Sequence, residues 1–223
     1  LGIGVVSLAT IAATDAPTRL FTSGIADALS TWYEVDASYR RDGTNMARFP
    51  GNPTRLAHAI ARLAADVIRE HGVAATRAVE RGAVTDAVEA VVEANVLLGG
   101  LGFENGGVAA AHSVHNGLTK AGVHDATHGE KVNFGVLTQL LLEGKPDAEI
   151  AEFVAFSRRL DLPLSFADLG VDPDDETLDA IARAATATDP YTETVHNAFD
   201  VTWRDVRDAM VAADEVGRAG EST

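Results

Sequence analysis

Three of the chain's seven histidines, His112, His115 and His128, fall in one short stretch. Imidazoles gathered this way handle either a metal ion or a proton. Cysteine is absent, so any metal must take nitrogen and oxygen ligands. On a helix starting near Gly107, His112 and His115 stand three residues apart and share a side. His128 opens the next helix after a turn through Gly122, and an antiparallel pair would bring the three rings together. A catalytic zinc site uses three protein ligands and leaves one position open. The missing ligand class is a carboxylate, and Asp27 is the candidate. It lies in the apolar helical run Ser23–Trp32, where a lone buried acid is costly unless paired or metal-bound. The alternatives are that each histidine is a hydrogen-bonded core or surface residue and that Asp27 caps a helix after Gly24.

The elements that must position these residues read as helical almost throughout. One strand is expected over 4–11, where Val5, Val6, Leu8 and Ile11 are apolar, and Pro17 follows in the first turn of a helix. Helices are expected over 17–21, 25–39, 53–70 (ended by His71 and Gly72), 73–80, 85–98 with Thr85 as N-cap, 107–119, 128–142, 147–160, 176–187 and 203–218. Positions 40–52 and 161–173 read as irregular. With no βαβ alternation and no internal repeat, this is one all-α domain with at most one short N-terminal strand. The run Gly99–Gly107 invites a nucleotide-loop reading, but a dinucleotide fingerprint needs a strand before it and a parallel sheet around it. The favoured reading is that these glycines end one helix in a left-handed cap and let the next pack closely.

Composition bounds the chemistry. The 223 residues are 46% hydrophobic, enough for a buried core. The net charge is -15, with 33 acidic residues and lysine only at Lys120, Lys131 and Lys145. Such a surface repels a phosphate backbone and argues against nucleic acid as a partner; it also suits a salt-rich cytoplasm. No run reaches membrane-spanning length. The apolar start, 1–13, lacks the basic leading segment of a signal sequence. A first residue other than methionine suggests a piece of something longer or a chain that has been trimmed.

The segments Gly24–Leu29, Gly100–Gly107, Ala110–Gly117, His128–Val132 and Val195–Asn197 resemble, in order and spacing, the C-terminal half of glycerol dehydrogenases, the zinc-dependent branch of the iron-containing alcohol dehydrogenase superfamily. The resemblance implies a multi-helix C-terminal metal-binding domain of the dehydroquinate synthase-like fold over 15–223, with 1–14 as a junction strand and loop. It implies Asp27, His112 and His128 as metal ligands and catalytic residues, His112 and His115 against the substrate, and His124 beside the site. Many iron-dependent relatives carry a further histidine ligand four residues after the aspartate; Thr31 stands there, which supports zinc over iron. The implied reaction is oxidation of glycerol, or a similar small polyol, to dihydroxyacetone. NAD would be held by an N-terminal domain or subunit outside this chain, with no cofactor-binding residues here. The implied setting is cytoplasmic and homo-oligomeric. Two other readings stand beside it. One is a non-catalytic helical module with a structural metal or an oligomerising role. The other is a dehydrogenase for another small polyol or for a phosphorylated one such as glycerol 1-phosphate; the phosphorylated case wants a basic pocket, and only Lys120 and Lys131 are available near the histidines.

Overall fold

A computed structural model describes residues 17–41, 51–187 and 199–219, and every regular element among them is helical. The expected strand over 4–11, the junction 1–14, most of the irregular stretch 40–52 and the segment Val195–Asn197 lie outside the described residues. The helices are α1 (Thr18–Arg40), α2 (Arg55–Val79), α3 (Asp86–Glu93), α4 (Gly99–Gly106), α5 (Ala110–Lys120), α6 (His128–Leu142), α7 (Asp147–Arg158), α8 (Asp175–Ala185) and α9 (Trp203–Arg218), with a π-helical turn, Ala94–Leu98, joining α3 to α4. Among the described residues no helix is long and apolar enough to cross a membrane.

The core is organised around α6. Every residue from Gly129 to Leu140 is buried, and α1, α5, α7 and α9 pack on it. A helix without a wet face is what a run such as Val132-Asn133-Phe134-Gly135-Val136-Leu137 dictates. Its start is fixed locally: the Thr127 side chain accepts from the Glu130 N–H while the Glu130 carboxylate accepts from the Thr127 N–H at 2.7 Å. This reciprocal capping makes His128 the first helical residue.

Two expected breaks do not occur. The segments 17–21 and 25–39 are one helix, α1, running through Gly24, and 53–70 and 73–80 are one helix, α2, running through Gly72. Both glycines answer to neighbours in space: a Cβ on Gly24 would meet Asn95 Nδ2 at 2.9 Å, and one on Gly72 would meet Phe156 at 3.2 Å. The glycine run also differs from expectation, because Gly99–Gly106 is itself helical and only Gly107, at φ 85°, provides the positive-φ ending. The close packing these glycines allow is against α1 and not against the next helix. Gly24, Ala28, Thr31 and Val35 of α1 meet Asn95, Gly99, Gly102 and Gly106 in turn, so α4 lies parallel to α1.

Candidate metal centre

Three helices supply the site. Asp27 stands in the middle of α1, which rules out the capping reading; His112 sits in the first turn of α5 and His128 at the start of α6. His128 Nε2 is 3.1 Å from Asp27 Oδ1, and His112 Nε2 is 3.6 Å from the same oxygen. One ligand atom from each of the three falls within 4.8 Å of the others, the spacing and donor set a divalent metal needs. The cluster opens outward, since the side chains of Asp27 and His128 are 45% and 47% exposed while His112 is 15%. Open on one side, it is built like a site that keeps a coordination position free.

The start of α6 is tied to α1 on both sides of His128. Thr127 Oγ1 donates to Ser23 Oγ at 2.8 Å, and the Gly129 N–H donates to the same hydroxyl at 3.1 Å. Arg19 grips Glu130 through Nε and Nη2, each 2.6 Å from a carboxylate oxygen. Glycine at 129 is required by this approach, for a Cβ there would lie 1.9 Å from the Ser23 carbonyl oxygen. The antiparallel pairing of α5 with α6 is equally tight, with Gly135 against the Ala111 carbonyl and Lys131 against Thr119.

His115 is brought beside the triad but not into it. Its Nε2 is 3.1 Å from His128 Nδ1, and its Nδ1 is 3.0 Å from Asn116 Oδ1. Burial first, and then the charges of His128, His112 and Lys131, push its pKa down to about 4, so at neutral pH the ring is uncharged. Burial raises the Asp27 carboxyl, but the hydrogen bond from His128 and the charges of His112, His128 and His115 outweigh it and hold the group below its ordinary value. His124 is exposed in the loop between α5 and α6. Lys131 is buried and donates to Thr119 Oγ1 at 2.8 Å and the Val123 carbonyl at 3.1 Å, which turns one of the two nearby lysines away from any phosphorylated substrate. Thr31 is buried against Gly102, where an added Cβ would lie 2.9 Å from Thr31 Cγ2.

Sequence reasoning passed over Glu34. It is fully buried on α1, and its Oε2 lies 2.6 Å from His112 Nδ1 while Oε1 accepts from the backbone N–H groups of Ala109 and His112 at 2.8 and 2.9 Å. Gln139 of α6 was also passed over; its Oε1 accepts from the Ala111 N–H at 3.0 Å. A signal for Glu34 existed, because it follows Asp27 by two helical turns and so shares its side of α1. For Gln139 there was none.

No protein-family model matches the chain. A glycolaldehyde reductase of Halobacterium salinarum is 54% identical over 206 residues, covering 91% of this chain and 55% of that protein. A glycerol dehydrogenase of Thermotoga maritima is 45% identical over 206 residues, with the same coverage of 91% and 55%. Among solved structures, a probable glycerol dehydrogenase from Sinorhizobium meliloti superposes with a TM-score of 0.86 at 41% identity, covering 92% of this chain and 57% of that one. The chain thus spans about half the length of the relatives it matches.

Proposed function

We propose that the chain is a C-terminal half of a dehydrogenase of the iron-containing alcohol dehydrogenase superfamily and forms the metal- and substrate-binding half of an NAD-dependent glycerol dehydrogenase, a reading supported by the glycerol dehydrogenases it resembles over about half their length. The observation that carries the reading is the convergence of Asp27, His112 and His128 from three helices. In this proposal they hold one zinc ion, a metal suited to two imidazoles, a carboxylate and an open position; Thr31, standing where many iron-dependent relatives carry a further histidine ligand, favours zinc over iron. When bound, the metal polarises a substrate hydroxyl and lowers its pKa. The glycerol lies against His112 and His115, and the neutral His115 ring adds no positive charge to a centre that already holds a dication. NAD would accept the hydride from carbon 2 of glycerol as the hydroxyl on that carbon gives up its proton, and dihydroxyacetone would remain. NAD would be held by an N-terminal domain outside this chain, so the reacting carbons would meet only in the assembled cleft. The setting is the cytoplasm, and the assembly is a homo-oligomer.

A second substrate is favoured by the 54% identity to a glycolaldehyde reductase. Glycolaldehyde and dihydroxyacetone are both α-hydroxycarbonyls whose reduced forms are vicinal diols, so one site serves either. The test is metal content by elemental analysis, followed by turnover after fusion to an NAD-binding domain of a relative. Asp27→Ala and His112→Ala should lose the metal and, in the fusion, abolish turnover while leaving NAD affinity intact; His115→Ala should keep most of the metal. Full metal content in both ligand variants would sink the assignment, and a metal-replete but inactive fusion would favour the structural module.

A further inference from the structure

We propose that Glu34 is the positioning residue that selects the tautomer of His112 and thereby makes its Nε2 available to the metal, an inference that rests on the ligand assignment above. An imidazole binds a metal through an unprotonated nitrogen, so the remaining ring proton must sit on the other one, and what that other nitrogen meets decides the matter. In this chain it meets Glu34 Oε2 at 2.6 Å. A carboxylate there accepts a hydrogen bond from Nδ1–H, which keeps Nε2, 3.6 Å from Asp27 Oδ1, as the nitrogen whose lone pair a metal between the two would take.

The carboxylate is itself held. Its other oxygen, Oε1, accepts the N–H groups of Ala109 and His112, so it cannot turn without stripping two backbone donors. Those donors belong to the start of α5, whose N-cap residue, Ala109, has no capping side chain. Glu34 supplies that cap from α1, and the partial positive charge of the helix start favours an anion at this point. One fully buried group therefore fixes both the backbone that carries His112 and the proton on its ring.

Glu34→Gln separates the two roles. The glutamine carbonyl can keep both backbone N–H groups only by presenting its amide NH2 to His112 Nδ1. The opposite orientation would set that NH2 against two backbone donors. In the favoured arrangement the amide donates to Nδ1 and drives the ring proton onto Nε2, where the metal must bind. Zinc titration calorimetry of the full chain should then show affinity lowered by about 10- to 100-fold with the helical signal and melting transition retained. In the His112→Ala background, Glu34→Gln should add nothing further. Wild-type zinc affinity in Glu34→Gln, or an effect that simply adds to that of His112→Ala, would overturn the proposal. If His112→Ala itself binds zinc like wild type, the fault lies in the ligand assignment instead. Nitrogen-15 spectra of the unaltered, zinc-loaded chain give a check free of any folding defect: a His112 ring protonated on Nδ1 is required, and one protonated on Nε2 refutes the proposal.

Discussion

Replacing Gly129 with alanine adds one methyl group at the tightest approach beside the candidate metal centre. The new Cβ would lie 1.9 Å from the Ser23 carbonyl oxygen and 2.7 Å from Ser23 Oγ, and the nearest atoms are backbone, which cannot rotate aside. Ordinary contact begins near 3.4 Å, so α1 and the first turn of α6 must separate by about 1.5 Å. Overpacking of this kind costs about 1–3 kcal/mol, and breaking the Gly129 N–H to Ser23 hydrogen bond adds about 1 kcal/mol. For a chain of this size each kcal/mol lowers the melting temperature by about 2–4 °C, so a fall of about 4–16 °C is expected in a circular-dichroism melt. The same displacement carries His128 away from Asp27, so zinc affinity should fall with stability. Gly100→Ala is the control: Gly100 is helical, exposed and has nothing within 4 Å of an added Cβ. It should gain about 0.4–1 kcal/mol from reduced freedom of the unfolded chain. A Gly129→Ala protein that melts with wild type and binds zinc equally well would refute the steric account of how α6 is placed.

The Arg19–Glu130 pair gives a pH dependence of definite sign. Burial raises the Glu130 carboxyl, but hydrogen bonds from Arg19 and Thr127 and the charge of Arg19 outweigh it and hold the pKa below the ordinary 4.5. Its contribution is therefore present above that value and is lost as pH falls through the lowered folded value. The stability gap between wild type and Glu130→Gln, read from denaturant melts, should be widest near neutrality and close in acid; a gap independent of pH would refute it. The net charge of -15 predicts a second trend, since screening shortens from about 10 Å at 0.1 M salt to about 3 Å at 1 M. The melting temperature should rise over that range, and a flat response would show that carboxylate repulsion does not limit stability.

What the sequence made legible was local. The starts at 128 and 203 match the structure because Thr127 with Glu130 and Thr202 with Asp205 are capping boxes written within four residues. Thr85 caps α3 by accepting from the Val88 N–H, as its type and place predict. Gly24 and Gly72 were misleading for the opposite reason: a glycine costs helix stability locally, yet Asn95 and Phe156 need the space it leaves. The π-helical turn Ala94–Leu98 has no compositional signature at all. At the candidate site, spacing placed His112 and His115 on one side of a helix, but only the resemblance preferred His128 over His115 as a ligand. Glu34 was missed because the groups it serves, Ala109 and His112, are 75 and 78 residues away in sequence.

The first turn of α5 carries a histidine of the triad and has no cap of its own; Glu34 and Gln139 reach in from other helices to hold the Ala109, Ala111 and His112 amides. Those three amides should therefore exchange with solvent only when α1 or α6 leaves its place, at rates that track opening of the core and not fraying of a helix end. The histidines are consequently not portable. A graft of residues 107–132 into another scaffold would transfer His112, His115 and His128, yet it would leave behind Asp27 and both side chains that allow the helix to begin, Gln139 and the Glu34 whose carboxylate also meets the His112 ring.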